Sequence, residues 1–389
     1  MSRILVLSRT SPFHSIGGME AIAWDVARGL ARRGADVAYV TTSIPGYESE
    51  FEEDGVSVIA LSGTKPGRYS RAWWRKSRAT FKQRFGNSLK AVLSVSAGGY
   101  SVVRSRKVAP DTKFVLQVHG TSFSEVVSKL STGKLMNFVR AGYNLLWVGR
   151  DLATYPLFDD VIAVGDKVYE SFLSPPISLV VPAERIHLIA NGIDEDTFYP
   201  SESARNEARQ RLGLEANCTV VITVSRLQRQ KGVDLALRGF ARWSRGGSHS
   251  RYLVVGSGPE GESLKELACS LGLEERVHFI GSVSRNEVPE YLRAADVFLF
   301  TTLHREGLPL NVLEAAGVGL PLAVPYALTE VVEALPLVFP LNPRDPESIA
   351  HALGRATSLV EGGIGSDRPV LPDKYTLRHT LDEYARILC

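Results

Sequence analysis

Short apolar runs alternate with stretches of helical periodicity from the beginning of the chain. Residues 4–7 are all apolar and are typical of a short buried strand. After a loop, apolar residues recur at helical spacing between residues 19 and 30, and residues 35–42 form the next strand-like run. This order of strand, loop, helix and strand predicts a Rossmann-like opening, although the G-x-G-x-x-G fingerprint of dinucleotide-binding proteins is absent.

The same alternation continues to the end of the chain and predicts an α/β fold class. Further strands are expected at residues 114–118, 161–164, 219–224, 252–255, 277–281, 296–300 and 320–325. Helices are expected from residue 233 onwards, over 263–271, around 288–292, over 309–317 and over 375–389. Within the fourth of these helices, Pro309 is expected at the first helical position and Gly317 in a left-handed cap.

Composition changes this picture little, but the distribution of charge adds to it. The chain has 389 residues, of which 44% are hydrophobic and 22% are charged, as in ordinary globular proteins with two domains. Residues 1–192 contain 24 Lys and Arg against 16 Asp and Glu, a balance of +8 within a net charge of +3. The excess of positive charge in the front half favours an anionic partner there.

Cysteine usage and hydropathy exclude several classes of protein. Cys218, Cys269 and Cys389 are far apart and lack metal-ligand spacing, so neither a disulfide framework nor a zinc site is expected. The apolar run at residues 4–7 is too short for a signal sequence, and no stretch reaches the length of a membrane span. The expected location is the cytoplasm, either free or peripheral on the inner face of a membrane.

One segment, residues 65–84, combines eight basic residues with several aromatic ones and contains no acidic residue. Trp74, Phe81 and Phe85 are spaced as one face of a helix. A basic amphipathic helix with tryptophan is typical of binding to an anionic membrane surface. The aromatic residues could equally cover the core while the charges face water. Nucleic acid binding has no supporting motif here and is not expected.

The stretch that carries the most chemistry runs from Glu306 to Glu314. Glu306 is expected in a loop at the mouth of a helix, and Glu314 inside that helix among apolar neighbours. A buried carboxylate needs partners, which the hydroxyls of a sugar can provide, and main-chain N–H groups at a helix start can meet an anion. A polyhydroxylated and phosphorylated ligand fits both features. The alternative is a solvated loop glutamate and a helix glutamate in an ion pair.

This stretch resembles the Glu-x7-Glu signature of glycosyltransferase family 4, the retaining sugar-nucleotide transferases of GT-B fold. In that family the first Glu contacts the donor sugar and the second contacts the nucleotide ribose, which implies these roles for Glu306 and Glu314. Other family marks follow in order along the chain. They are the pair Gly17-Gly18, His119 after a strand, Arg226 and Lys231, and the segment Asn191-Gly192-Ile193-Asp194 at a domain junction.

The resemblance implies a site residue by residue. Catalytic roles fall to Arg226 and Lys231 on the donor diphosphate, and to Glu306 and His119 on the donor sugar. The remaining donor-binding residues would be Gly17, Gly18, Gly256, Ile280, Gly307, Leu308, Pro309, Leu310 and Glu314. This sequence departs from the family pattern at Ala190, Ser225 and residues 327–329.

The implied fold is GT-B, with two Rossmann-like domains facing each other across a cleft. The domains would be residues 1–193 for the acceptor and 194–374 for the nucleotide sugar, with a terminal helix at 375–389 crossing back to the first. The Asp194-Glu195-Asp196 sequence resembles the metal-binding signature of the GT-A fold, but it is interpreted as a turn between domains. No metal and no cofactor are expected.

The implied reaction moves a hexosyl group from a nucleoside diphosphate sugar to a hydroxyl with retention. UDP-sugars and GDP-mannose are candidate donors, and the acceptor would be a saccharide or a lipid-linked saccharide in cell-surface polysaccharide or lipopolysaccharide assembly. Two alternatives remain open. One is another GT-B enzyme, either a nucleotide-sugar epimerase or a glucan synthase, and the other is a non-catalytic protein that binds sugar nucleotides.

Overall fold

The computed structural model divides the chain into two compact units. The first unit comprises Met1–Asn191 together with Leu377–Cys389, and the second comprises Gly192–Thr376. The structure describes residues 2–14, 18–123, 146–245, 249–304, 307–361 and 371–389. Within these ranges, no helix is both long and apolar enough to cross a membrane.

Each unit is built around one sheet of short, mostly parallel strands. The strands of the first unit are β1 Arg3–Leu7, β2 Asp36–Thr42, β3 Glu50–Glu53, β4 Val56–Leu61, β5 Ala91–Val95, β6 Lys113–Val118, β7 Asp160–Ala163 and β8 Ile186–Leu188. Those of the second unit are β9 Thr219–Val224, β10 Ser250–Val255, β11 Val277–Gly281, β12 Val297–Leu299, β13 Leu322–Pro325 and β14 Val338–Leu341. The strand positions expected from apolar runs are therefore confirmed.

Helices connect the strands, as parallel pairing requires. Those with described bounds are α1 Gly18–Arg32, α2 Arg71–Thr80, α3 Tyr100–Val103, α4 Asp166–Leu173, α5 Glu202–Arg211, α6 Val233–Ser244, α7 Gly261–Ser270, α8 Val288–Ala294, α9 Leu310–Gly317, α10 Thr329–Val332, α11 Pro346–Glu361 and α12 Leu377–Leu388. Residues 146–152 are also helical. The terminal helix begins at Leu377, two residues later than the sequence pattern predicted.

The strand order places a topological switch point in each sheet. In the second unit the order is β11-β10-β9-β12-β13-β14, so the chain builds outward from β9 in one direction and then from β12 in the other. In the first unit the order is β3-β4-β2-β1-β5-β6-β7-β8, and the direction changes between β1 and β5. Ligands of open parallel sheets bind at such points, beyond the carboxyl ends of the strands.

The basic segment 65–84 does not form one continuous helix, contrary to the spacing of Trp74, Phe81 and Phe85. α2 ends at Thr80, and a π-helical turn, Phe81–Phe85, follows it. Trp73 and Phe81 are fully buried in the core of the first unit, whereas Trp74 is only half-buried. Phe81 and Phe85 of this turn are both buried in that core.

The predicted ends of α9 were each wrong by one or two residues. Pro309 precedes the helix with extended backbone (ψ 132°), and its carbonyl accepts the first helical hydrogen bonds. Gly319, with φ +77°, takes the left-handed position that was expected for Gly317. Gly317 is instead required by packing, because a Cβ there would lie 2.6 Å from Ile193 Cδ1.

Candidate functional site

In the second unit, the loop that follows β9 carries the two predicted diphosphate ligands. Arg226 lies in this loop with its side chain exposed. Lys231 ends a short 3₁₀ turn, Arg229–Lys231, and its Nζ lies 5.6 Å from the centroid of the Phe300 ring. Both cations therefore follow the first strand of the unit, at the switch point between β9 and β12.

The loop after β12 holds the cation-bearing loop in place. Thr301 Oγ1 donates to the carbonyl of Gly232 at 2.7 Å, and the Leu303 N–H donates to the carbonyl of Gln230 at 2.8 Å. Gly232 has φ +66°, and a Cβ there would lie 2.3 Å from the Thr301 carbonyl oxygen. Only glycine allows these two loops to approach so closely.

A second glycine loop supports the segment around Arg226 from the other side. A Cβ on Gly256, where φ is +128°, would lie 1.9 Å from the carbonyl oxygen of Ser225. A Cβ on Gly258 would lie 2.2 Å from the carbonyl oxygen of Leu227. The Leu227 N–H also donates to the carbonyl of Ser257 at 2.8 Å. These glycines therefore position the main chain on both sides of Arg226.

The start of α9 is fixed to the end of β9 by a side chain that sequence reasoning missed. Asn311 Nδ2 donates to the carbonyl of Val224 at 2.7 Å. Asn311 lies within the Glu-x7-Glu stretch, so its position was a usable signal. Further along α9, Glu314 is buried, and Arg285 Nε lies 3.8 Å from its Oε1. No sequence pattern indicated Arg285, which lies in the loop after β11.

The other predicted donor-binding residues of the second unit lie around the same edge of the sheet. Ile280 is half-buried near the end of β11, and the Gly256 N–H donates to the adjoining Gly281 carbonyl at 2.8 Å. Gly307 is exposed, whereas Leu308, Pro309 and Leu310 are half-buried where the chain enters α9. Glu306 lies outside the described residues.

In the first unit, His119 follows β6 directly at the carboxyl edge of the sheet. Its side chain is half-buried, and within the described chain its Nε2 is shielded from solvent without a hydrogen-bond partner. Burial lowers the pKa of His119 from 6.5 to about 4, so the imidazole is neutral at neutral pH. Gly18 is the first residue of α1, and Gly17 lies outside the described residues.

The acidic sequence at residues 194–196 forms a turn. The carbonyl of Asp194 accepts hydrogen bonds from the N–H groups of Thr197 and Phe198, at 3.1 and 2.8 Å. Across the described ranges, no group of three His, Cys, Asp or Glu residues is arranged to hold a metal ion.

Comparison with known protein families identifies the class to which this fold and site belong. The two parallel α/β units match the GT-B fold of glycosyltransferases. Residues 16–197 match the sequence model described as Glycosyltransferase Family 4, and residues 204–355 match the one described as Glycosyl transferases group 1. The chain belongs to glycosyltransferase family 4.

Curated relatives are similar over part of the chain. The putative glycosyltransferase EpsF of Bacillus subtilis is 33% identical over 45% of this chain and 45% of its own length. The D-inositol 3-phosphate glycosyltransferase of Acidothermus cellulolyticus is 32% identical over 54% of this chain and 48% of its own length. A GDP-mannose-dependent phosphatidylinositol monomannoside mannosyltransferase of Mycolicibacterium smegmatis is 34% identical over 36% of this chain and 38% of its own length. Each of these matches thus spans less than half of the relative's own length.

Solved structures share the fold over the whole chain at lower identity. Sucrose-phosphate synthase from Thermosynechococcus elongatus superimposes with a TM-score of 0.74 at 20% identity, covering 100% of this chain and 96% of that one. Anabaena Alr3699/HepE, solved in complex with UDP-glucose, gives a TM-score of 0.73 at 20% identity. The match covers 100% of this chain and 99% of that one.

Proposed function

We propose that this protein is a retaining glycosyltransferase that moves a hexosyl group from a nucleoside diphosphate sugar to a hydroxyl acceptor. The observation that carries the proposal is the placement of Arg226 and Lys231 on one loop at the switch point of the second unit's sheet. The buried carboxylate of Glu314 lies on α9, whose first turn is hydrogen-bonded to the strand that leads into that loop.

The chemistry of this placement suits departure of a nucleoside diphosphate. When the glycosidic bond breaks, negative charge grows on the leaving phosphate oxygen. Arg226 provides a planar fork of donors and Lys231 a point charge, and both can stabilise that charge. Glu314 is proposed to accept hydrogen bonds from the ribose hydroxyls, and Glu306 and the neutral imidazole of His119 to contact the donor sugar.

The donor is proposed to be a UDP-sugar or GDP-mannose. The UDP-glucose complex of HepE and the name of the GDP-mannose-dependent mannosyltransferase support these two classes without choosing between them. A thermal-shift panel of UDP-, GDP- and ADP-sugars tests the donor. A donor present at about 100 times its dissociation constant should stabilise the protein by about 2.7 kcal/mol. If no nucleotide sugar raises the melting temperature, the donor assignment is wrong.

Turnover then separates the proposed reaction from an epimerase and from a non-catalytic binding protein. The protein is incubated with the stabilising donor, with and without EDTA, and the released sugar is analysed by NMR. We expect slow hydrolysis that gives the retained anomer and is insensitive to EDTA, because the two cations replace a metal at the diphosphate. Conversion of the donor into its epimer would indicate an epimerase, and an unchanged donor would indicate a non-catalytic binding protein. If EDTA abolished hydrolysis completely and magnesium restored it, the metal-independent mechanism would be contradicted.

The acceptor is proposed to be a lipid-linked saccharide at an anionic membrane, in the assembly of cell-surface polysaccharide or lipopolysaccharide. Arg71, Arg75 and Arg78 are exposed on α2, while Trp73, Phe81 and Phe85 are buried, so the contact would be electrostatic. Co-sedimentation with anionic vesicles should fall steeply as salt is raised. Equal binding to neutral and anionic vesicles, or no binding to either, contradicts membrane attachment through residues 65–84.

A further inference from the structure

Five side chains of the first unit, two cations and three aromatic rings, form a continuous row. The guanidinium carbon of Arg9 lies 5.1 Å from the centroid of the Tyr69 ring. The rings of Tyr69 and Trp74 are stacked at 5.1 Å with an interplanar angle of 20°. Arg150 then lies 4.1 Å from the Trp74 ring and 5.0 Å from that of Trp147. All five residues are half-buried, so each retains some surface that solvent can reach.

The row lies where a parallel sheet binds its ligands. Arg9 is two residues beyond β1, the strand at which the first sheet changes direction. Tyr69 and Trp74 follow β4, and Trp147 and Arg150 lie on the helical segment between β6 and β7. Three separate parts of the chain thus bring these side chains together at the carboxyl edge of the sheet.

Among the residues that the structure describes, the two guanidinium groups of the row have no carboxylate partner of the kind that similar groups have elsewhere. Arg205, which is also half-buried, pairs with Asp296 at 2.6 Å. Among the described residues, the side chains of Arg9 and Arg150 make no ion pair and no hydrogen bond. The carboxylate next to Arg150, Asp151, instead accepts a hydrogen bond from the Tyr100 hydroxyl at 2.8 Å.

The surroundings of Arg150 make its charge costly. Burial lowers the pKa of Arg150 and repulsion from Arg104 lowers it further, while the charge of Asp151 partly opposes this shift. Charged groups that are partly withdrawn from water are normally paired, because desolvation opposes the charge. The aromatic faces compensate in part through cation–π contacts. An anion in front of the row would supply the missing partner for both guanidinium groups.

We propose that this row is an acceptor subsite that binds a saccharide bearing a phosphate group. Arg9 and Arg150 take phosphate oxygens through charge-assisted hydrogen bonds, and the solvent-accessible parts of the rings between and beside them contact the sugar. The assignment to an acceptor rests on the proposed function. The phosphate can belong to a soluble sugar phosphate or to a lipid-linked phosphate headgroup, which share this chemistry.

The test uses D-glucose 6-phosphate, D-glucose and polyprenyl monophosphate in neutral phosphatidylcholine vesicles as probes. Binding of the sugars is followed by tryptophan fluorescence, and that of the vesicles by co-sedimentation. Arg9→Gln and Arg150→Gln should each weaken binding of a phosphate probe by about 10-fold to 100-fold, and should leave binding of D-glucose unchanged. Arg185→Gln, at an exposed position of the same unit, is the matched control and should change nothing.

The outcomes separate the two sources and the alternatives. Arginine-dependent binding of glucose 6-phosphate assigns a soluble ligand, and arginine-dependent binding of the vesicles assigns a lipid headgroup. The proposal is overturned if neither phosphate probe depends on Arg9 or Arg150, or if Lys231→Ala alone abolishes binding, which would place the probe in the second unit. Thermal melts identify a variant that fails to fold. Because Arg9→Gln and Arg150→Gln are separate variants, each tests the proposal independently of the other.

Donor hydrolysis, measured on the same variants, keeps this proposal distinct from the proposed function. Loss of phosphate binding with intact hydrolysis contradicts only the subsite. Arginine-dependent phosphate binding in a protein that neither binds nor hydrolyses any nucleotide sugar contradicts the glycosyltransferase activity.

Discussion

Asn311 and Val224 join two elements of the second unit that are distant in sequence. The Asn311 amide in the first turn of α9 donates to the Val224 carbonyl, the last of β9, over 2.7 Å. This bond fixes the helix that carries Glu314 relative to the loop that carries Arg226. Its effect on the site is therefore geometric rather than chemical.

Removal of this bond should disturb both stability and turnover. Asn311→Ala leaves the Val224 carbonyl unpaired and should destabilise the protein by about 1 kcal/mol. Because Glu314 and Arg226, which are proposed to bind the nucleotide sugar, would shift relative to one another, kcat/KM should fall by about 10-fold to 100-fold. Asn311→Asp has the same shape but cannot donate, so it should behave similarly in urea unfolding and kinetics. Asn217→Ala, at an exposed position, is the control. Full activity of both Asn311 variants would show that α9 is positioned by other contacts.

Arg226 and Lys231 should contribute more to the transition state than to donor binding. Since charge on the leaving diphosphate is still developing in the bound donor, Arg226→Ala and Lys231→Ala should each lower kcat by about 10²–10³ with a smaller rise in donor KM. The two losses should not add, because both groups act on one diphosphate. Arg226→Lys should recover only part of the rate, as the planar fork is lost.

Steady-state kinetics with donor and acceptor varied separately decides this point. Arg245→Ala is the control, because Arg245 is exposed at the end of α6, the helix that follows the loop. Near-normal kcat with a raised donor KM in both alanine variants would mean that these cations only bind the donor.

Gly256 should be needed for the position of Arg226 and not only for contact with a ligand. Gly256→Ala introduces a Cβ that would lie 1.9 Å from the Ser225 carbonyl oxygen, at a φ of +128° that side chains rarely adopt. The melting temperature and kcat should therefore fall together. Gly261→Ala is the matched control, since its Cβ would lie 3.8 Å from Leu227 in an ordinary contact. Loss of donor affinity without any loss of stability would show that Gly256 acts through the ligand alone.

His119 should make the protein less stable as the pH falls. Its pKa is about 4 in the folded chain and 6.5 when unperturbed, so between these values the unfolded chain binds a proton that the folded one does not. This difference should remove about 2 kcal/mol of stability between about pH 7 and about pH 5. In urea unfolding, the free energy of unfolding of His119→Gln should fall by about 2 kcal/mol less than that of the parent protein over this pH range. His351→Gln, at an exposed position on α11, should retain the dependence of the parent protein.

The strands that were predicted are continuous apolar runs, because parallel strands are buried on both faces, whereas β3, β4, β5, β8 and β14 were not predicted. β9 was predicted to the residue from its run of valine, isoleucine and threonine. The ends of α9 were harder to predict from the sequence, because Pro309 can either begin a helix or precede one. The π-helical turn after α2 left no signal, since the spacing of aromatic residues does not reveal where the hydrogen-bond pattern changes.

The candidate site was predictable only where its residues lie in one contiguous stretch. The Glu-x7-Glu segment and the loop of Arg226 and Lys231 are such stretches, and the family resemblance identified them. Arg285 approaches Glu314 from a different strand connection, and Gly256 reaches Ser225 from the next strand, so neither contact follows from local spacing. Arg9 and Arg150 are brought together by the sheet and not by the sequence.

The terminal helix α12 has a consequence for the order in which the protein can be completed on the ribosome. It belongs to the first unit, where Leu381 covers Gly29 and the Tyr384 hydroxyl accepts a hydrogen bond from Gln117 Nε2 at 2.7 Å. The whole of the second unit is synthesised between these partners. The second unit can therefore fold as it emerges, whereas the first has an unfilled face until α12 has been synthesised. A premature stop there would damage the half of the molecule that was made first.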